Sequence, residues 1–502
     1  MSYSSQISRR QFLRSTCAGT AGVTISNSLL HVANAETAQA KRPNILVIMS
    51  DEHNRDICGS YGNRLVQTPN IDSLAYSGVT FDNAYCNSPQ CAPSRLSFTA
   101  GKYIHHVSAW SNESWLPSGD IASLPRIMNG AGYESILCGK MHYDRSRRYG
   151  FKDITGLFTN NEMKSGKGRR PKPLRLKARP VSPRFSEIGP GDSSIVMSHD
   201  QYVTQAATRF FKNRTDADKP FFMLAGFLAP HPPFVVPGKV WENYRDAVEN
   251  PYIPDGFFQS LPLNYKHLRA RMGLVGVDPK TVKLGREMYY GLTEWLDTEI
   301  GKVLEALRKN DLVDNTVVIY VSDHGENMGE HGFWFKKTMY EQSAGVPMII
   351  SWPQRWRGDQ RRHGACSLLD LAQTIVELGS GVAPGDWDGD SMVGWMDDPH
   401  KPWKDLAVSQ YYGGHIASGY AMARQGRYKY VYHTEPNREI GPERELYDLV
   451  HDPMEFANLA GDRGQQDRIK VMHDVLVKEL GEDPDETEQR CRVERRNGYH
   501  HL

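Results

Sequence analysis

The apolar residues of this chain fall into short, nearly unbroken runs separated by stretches with helical spacing. Residues 44 to 50 read Asn-Ile-Leu-Val-Ile-Met-Ser and end on Asp51-Glu52. A run without alternation is how a strand reads when both its faces are covered, and such strands belong to parallel sheets. Similar runs lie at 221 to 227, closing on Pro230-His231-Pro232, at 316 to 322, closing on Asp323-His324-Gly325, and at 347 to 352. Thr68-Pro69-Asn70-Ile71-Asp72 has the make-up of a helix start, and residues 282 to 309 and 368 to 378 carry helical periodicity. Strands alternating with helices predict an α/β fold, a large mixed, mostly parallel sheet sandwiched by helices. Ligand sites of such sheets lie at the C-terminal edge of the strands, where Asp51 and Glu52 fall.

From about residue 400 the pattern changes to short tyrosine-alternating segments, Arg427-Tyr428-Lys429-Tyr430-Val431-Tyr432 and Glu445-Leu446-Tyr447-Asp448-Leu449. These predict a smaller C-terminal antiparallel sheet with a helix. The expected organisation is a leader over 1–35, a main domain over 41–399, a small α+β subdomain over 400–485 and a charged tail over 486–502.

Of the 502 residues 39% are hydrophobic and 24% charged, which fits a globular chain with ample core rather than a disordered one. The 60 basic residues nearly cancel the 59 acidic ones, so no global field calls for nucleic acid as a partner. No stretch reaches the roughly 18 to 20 apolar residues needed to cross a bilayer. Residues 164–179 depart from this balance with eight basic residues and no acidic one, a solvated loop or an anion-attracting rim above a site.

The N-terminus reads as an address. Arg9-Arg10-Gln11-Phe12-Leu13 precedes a small, weakly apolar tract and an Ala33-Asn34-Ala35 cleavage pattern, with Ala38-Gln39-Ala40 as a later candidate. This resembles a twin-arginine signal, which implies passage through the Tat translocon and a periplasmic or secreted protein. Export permits disulfides. Cys17 leaves with the signal, while Cys58, Cys86, Cys91, Cys138, Cys366 and Cys491 remain without metal-type spacing or an assignable pairing.

The most specific pentapeptide is Cys91-Ala92-Pro93-Ser94-Arg95. It resembles the Cys-x-Pro-Ser-Arg signature of the type I sulfatases, whose cysteine a maturation enzyme converts to formylglycine. Thr99-Ala100-Gly101 departs slightly, since the family more often has threonine before that glycine. The family's other elements follow in order between Pro43 and about Leu459: Asp51-Glu52, Gly139-Lys140-Met141-His142, Pro230-His231-Pro232, Ser322-Asp323-His324-Gly325, and Lys336 four residues before Tyr340-Glu341. The resemblance implies an alkaline-phosphatase-like fold.

It also implies roles. Asp51, Glu52 and Asp323, with His324 as a further ligand and residue 91 beside them, would hold a divalent cation, calcium by resemblance, although an imidazole ligand also suits magnesium or manganese. One hydroxyl of the hydrated formylglycine at position 91 would attack sulfur, and the other would then collapse to the aldehyde and expel sulfate. Arg95 would hold the hydrate, and Lys140 and Lys336 would neutralise sulfate oxygens. His231 is the candidate acid for the leaving oxygen and His142 the candidate base, and these two roles can be exchanged.

The stretches around Cys91, Lys140 and Gly329-Glu330-His331-Gly332-Phe333-Trp334 look most like choline sulfatases. Trp110, Trp115, Trp334 and Tyr411 could cage a quaternary ammonium or simply pack. Export favours a sulfated carbohydrate, because an osmolyte is degraded inside the cell. Glu326, Asn327, Glu330 and His331 read as loop or supporting residues, and Asn112-Glu113-Ser114 and Asn213-Arg214-Thr215 as unused glycosylation patterns. An aryl sulfatase, a phosphomonoester, phosphodiester or phosphonate hydrolase on the same fold, and a non-catalytic binder of sulfated glycans are the alternatives.

Overall fold

A computed structural model describes residues 42–116, 121–144, 146–157, 178–215 and 217–497. The expected signal at 1–35, with Cys17, and most of the basic stretch at 164–179 lie outside the described residues.

The strands are β1 (Asn44–Asp51), β2 (Gly78–Tyr85), β3 (Glu134–Gly139), β4 (Lys152–Asp153), β5 (Gly189–Pro190), β6 (Phe221–Pro230), β7 (Val235–Val236), β8 (Thr316–Ser322), β9 (Met348–Ser351), β10 (Gln360–Ser367), β11 (Leu406–Tyr411), β12 (Tyr420–Gln425), β13 (Tyr428–His433) and β14 (Glu443–Asp448). Eight of them form the main sheet in the order β10-β2-β9-β8-β1-β6-β3-β4. β1 pairs parallel with β6 and β8, β3 parallel with β6, and β10 parallel with β2. β9 runs antiparallel to β2 and β8, which makes the sheet mixed.

Every residue of β1 is buried. Ile45, Val47 and Met49 face one core, together with α2 (Cys91–Ala100), α3 (Leu124–Gly130) and the helix Leu368–Leu378. Leu46 and Ile48 face the other, with α1 (Pro69–Tyr76), α4 (Ile195–Lys212) and the long helix Pro279–Lys309. Two cores on opposite faces are why the central strands read as continuous apolar runs. The helices begin where their caps dictate: Asp278 accepts from Lys280 N ahead of a first-turn proline, and Ser367 and Asp370 form a capping box.

β11 to β14 form a four-stranded antiparallel sheet. Val408, Ala421, Ala423, Tyr430 and Leu446 pack there against Ile469, Met472 and Leu476 of the helix Gln466–Leu480. Both sheets lie within one compact unit beginning at Arg42. The chain past residue 486, expected as a charged tail, is helical from Pro484 to Asn497. Thr487, Glu488, Cys491 and Arg495 recur on one buried stripe, and Glu488 accepts from Gly419 N at 3.0 Å. A stripe with so few apolar residues has little hydrophobic signature, and the charge run concealed it.

Candidate active site

The parallel strands deliver their last residues to one place. β1 ends on Asp51 with Glu52 next, β3 is followed by Lys140 and His142, β6 by His231, and β8 by Asp323 and His324. β2 leads through a short loop to Cys91, the first residue of α2. All ten residues of α2 are buried, and the Ala92 N–H donates to Asn112 Oδ1 at 3.1 Å. The helix therefore turns its partial positive end toward Cys91 and the ends of the strands. At its other end Gly101 adopts φ +65° against the Trp387 ring.

Around the Cys91 sulfur stand Lys336 Nζ at 3.0 Å, His324 Nε2 at 3.3 Å and Asp51 Oδ1 at 3.6 Å. Arg95, fully buried one helical turn on, donates from Nε to Asp323 Oδ2 at 2.7 Å and from Nη2 to Asp51 Oδ2 at 3.4 Å. Its Nη1 also reaches the Lys140 carbonyl at 2.8 Å, so one guanidinium ties the ends of β1, β3 and β8 together. Ser94, inside the same motif, donates to the Asp323 carbonyl at 2.6 Å. Lys140 Nζ pairs with Asp51 Oδ2. Lys336 pairs with Glu52 Oε2 at 2.7 Å, and His231 Nε2 lies 3.4 Å from the same oxygen.

Electrostatics follows from this crowd. Burial works to raise the Cys91 thiol, as does Asp51, but Lys336, Lys140 and His324 outweigh both and hold it well below its usual value. At Cys58 burial instead pushes the thiol up to about 12. Burial would lower Lys336, and the Cys91, Glu52 and Asp51 charges raise it instead. Burial takes His231 down to about 4, with Lys336 adding to the effect, and also lowers His142. Both imidazoles rest neutral at pH 7. Glu52, His142, Phe335 and Lys337, all non-glycine, hold positive φ of 68°, 58°, 67° and 90°. Such backbone strain gathers where a site fixes its groups against local preference.

The donor set fits a hard divalent cation. Ligand atoms of Asp51, Cys91, Asp323 and His324 all lie within 4.8 Å of one another, and so do those of Asp51, Glu52 and His231. Glu52 Oε1 is buried with no hydrogen-bond partner, an orphaned carboxylate oxygen in a group with Asp51 and His231. Asp51 is shared by the two groups, and the Glu52 backbone N–H donates to Asp323 Oδ1 at 3.1 Å.

The sulfatase family model matches residues 43–382, and the model of the N-sulphoglucosamine sulphohydrolase C-terminal region matches 329–482. The chain belongs to the sulfatase family. It is a sulfuric ester hydrolase, and the family is metal-dependent. This sulfatase is 28% identical to a choline-sulfatase of Rhizobium meliloti, over 86% of this chain and 85% of that protein. It is 25% identical to an N-acetylglucosamine-6-O-sulfatase of Bacteroides thetaiotaomicron, over 92% and 91%. Its fold is similar to that of the phosphonate monoester hydrolase of Agrobacterium radiobacter, with TM-score 0.71 at 22% identity over 88% of this chain and 96% of that one.

Every site residue expected from the sulfatase motifs lies in this cluster, while of the aromatic residues considered for a cage Trp110, Trp334 and Tyr411 are packing elements and Trp115 lies 4.5 Å under the Arg147 guanidinium. Trp110 Nε1 donates to Glu494 at 2.5 Å, Trp334 packs on Phe185 and Phe234, and Tyr411 donates to the Gly414 carbonyl. Of three supporting residues, only Glu326 reads as such in the sequence. Asn112, read as a glycosylation pattern, binds the start of α2. Glu326 accepts from Met328 N and Phe335 N, which fixes the loop bearing Lys336. Tyr289 of the long helix donates to the Glu52 carbonyl at 2.7 Å and accepts from Asn54 N at 2.8 Å, latching the loop after β1.

Proposed function

We propose that this sulfatase hydrolyses the sulfate ester of an extracytoplasmic carbohydrate, using a formylglycine made from Cys91 and a divalent cation held by Asp51, Glu52, Asp323 and His324. The observation that carries the proposal is the convergence of Lys336, His324 and Asp51 within 3.6 Å of the Cys91 sulfur at the start of α2. Hard carboxylate oxygens favour calcium, and the imidazole leaves room for magnesium or manganese. When bound, the cation supplies Lewis-acid polarisation of a sulfate oxygen. As its hydrate, formylglycine supplies one hydroxyl to attack sulfur and a second whose proton loss releases sulfate.

The chain's own side chains do the rest. Arg95 fixes residue 91 against Asp51 and Asp323, and Lys140 and Lys336 balance the charge of the sulfate oxygens. His231, with 21% of its side chain exposed, is assigned as proton donor to the leaving oxygen; neutral without substrate, it takes up its proton when the anionic sulfate is bound beside it. His142, buried beside residue 91 with Nδ1 unpartnered, is assigned as the base.

The twin-arginine pattern supports export through the Tat translocon to the periplasm or beyond, after folding and conversion of Cys91 by a formylglycine-generating enzyme. An exported enzyme meets sulfated polysaccharides, and the relative named for N-acetylglucosamine-6-O-sulfate supports the same substrate class. Release of inorganic sulfate should be measured on N-acetylglucosamine-6-sulfate, choline sulfate and an aryl sulfate, beside an aryl phosphate and an aryl phosphonate. Turnover is expected to be fastest on the sugar sulfate and to stop on chelation. The similarity to a phosphonate monoester hydrolase favours a second reading, in which phosphonate or phosphate turnover exceeds that of every sulfate.

A further inference from the structure

Next to Cys91 the described residues enclose a cavity of about 270 Å³. Its wall holds Arg179, Arg184, Arg271, Lys336 and Lys337, together with His415, and no acidic residue. In a chain whose basic and acidic residues number 60 and 59, a wall of five cations, of which Lys336 alone among the described residues is paired with carboxylates, is a local arrangement and not a reflection of composition. Among the described residues Arg179, Arg184, Arg271 and Lys337 have no carboxylate at ion-pair distance. Arg271 Nε is buried with no hydrogen-bond partner, and Lys337 Nζ faces only His415 Nδ1, at 3.3 Å. Burial, helped by Lys336 and Arg184, brings Lys337 down to about 8 against the opposing pull of Glu52.

The cavity is built, not incidental. Residues 179–182 lie along the end of the helix Leu263–Met272, where Arg179 N donates to the Ala270 carbonyl at 2.9 Å and Ser182 N to the Gly273 carbonyl at 3.0 Å. Gly273 sits there at φ +68°, and a Cβ on it would lie 2.2 Å from the Pro180 oxygen. Arg184 stacks over the Phe335 ring at 5.0 Å, while Lys337 and His415 hold positive φ of 90° and 73°. Gln90, which precedes Cys91, and Lys336, 3.0 Å from its sulfur, line the same wall, so the cavity lies directly beside residue 91.

We infer that the cavity receives a second anionic group of the substrate, a sulfate or a carboxylate borne by the sugar that carries the scissile sulfate or by its neighbour. The inference rests on the sulfatase reading above and narrows its substrate to carbohydrates with two anions. A volume at the lower end of small-molecule sites suits about one charged sugar unit. A quaternary ammonium would meet five cations there, which disfavours choline sulfate.

The test compares kcat/KM of the metal-loaded enzyme on a monosulfated monosaccharide, its disulfated counterpart, and a monosulfated disaccharide bearing a uronate. The wild type should prefer a two-anion substrate by about tenfold or more, mostly through KM, and the preference should shrink as ionic strength rises. Preference for the disulfated sugar identifies the second group as sulfate, and preference for the uronate identifies it as carboxylate. Arg271→Ala should bring the ratio of two-anion to one-anion kcat/KM close to one, and Arg271→Lys should restore part of it. Lys337→Gln provides the same readout if Arg271→Ala does not fold. Equal rates on one-anion and two-anion substrates in the wild type, or variants that lower both alike, overturn the inference. Absence of sulfate release from every substrate, including an aryl sulfate, instead overturns the sulfatase reading on which it stands.

Discussion

Lys336 touches both the Cys91 sulfur and the Glu52 carboxylate, at 3.0 and 2.7 Å, so it links the proposed nucleophile to the acidic group beside it. Lys336→Ala leaves Glu52 and the bound sulfate short of a positive charge. It should lower kcat/KM on an aryl sulfate by about 10²- to 10³-fold, as loss of one preorganised electrostatic group does elsewhere. Steady-state kinetics with a thermal melt as folding control checks this, and a fall below tenfold contradicts the role. Arg95 bridges Asp323 and Asp51 through distinct nitrogens. Arg95→Lys keeps the charge and loses the fork, so both activity and melting temperature should fall, because two buried carboxylates lose a partner. These residues were legible in the sequence because each sits in a short motif with fixed spacing. Arg184, Arg271, Lys337 and His415 were not, since they come from separate segments that only the fold brings to one cavity.

At the scale of elements, the strands that carry the site are those whose two faces are both covered. β1, β6 and β8 read as apolar runs because α1, α4 and the long helix cover one face and α2, α3 and the helix Leu368–Leu378 the other. β10 escaped notice because this edge strand reads Gln-Arg-Arg-His-Gly-Ala-Cys-Ser and leaves part of its length exposed. α2 is held from both ends, and its C-terminal glycine is open to a direct test. Gly101→Ala places a Cβ within 2.0 Å of the Trp387 ring at a left-handed φ. Strain of about 1–2 kcal/mol from the backbone and about 1–3 from overpacking should lower the melting temperature by several degrees. Gly130→Ala, at the end of α3, meets nothing within 4 Å and should be close to neutral in the same melts. Equal effects of the two substitutions would contradict this account of the helix end.

Across the whole molecule, buried neutral histidines make stability depend on pH. Burial holds His105 and His331 down to about 4, against a value near 6.5 in the unfolded chain. His105 faces Gln410 and the Leu480 carbonyl, and His331 Nε2 donates to the Met454 carbonyl while its ring stacks on Tyr340, so both contact the C-terminal part. For a histidine with a depressed folded value, the unfolded state binds the proton first. Stability is therefore complete above about pH 6.5, falls as pH drops toward 4, and levels off below, by up to about 3 kcal/mol per histidine. Melting temperatures over that range should show the fall, and His105→Asn should flatten it. Parallel curves for wild type and variant would contradict the assignment. The same C-terminal part contains the helix Pro484–Asn497, whose buried stripe of Thr487, Glu488, Cys491 and Arg495 the run of charges hid from the sequence reading.

The architecture as a whole places Cys91 among cations and carboxylates at the edge of the sheet. The most direct check is the mass of the tryptic peptide ending at Arg95, taken from enzyme that releases inorganic sulfate. The account predicts an aldehyde or its hydrate at position 91, lighter or heavier than the thiol peptide by the difference in atoms alone and captured by a hydrazine reagent. An unmodified, alkylatable Cys91 in fully active enzyme would contradict it.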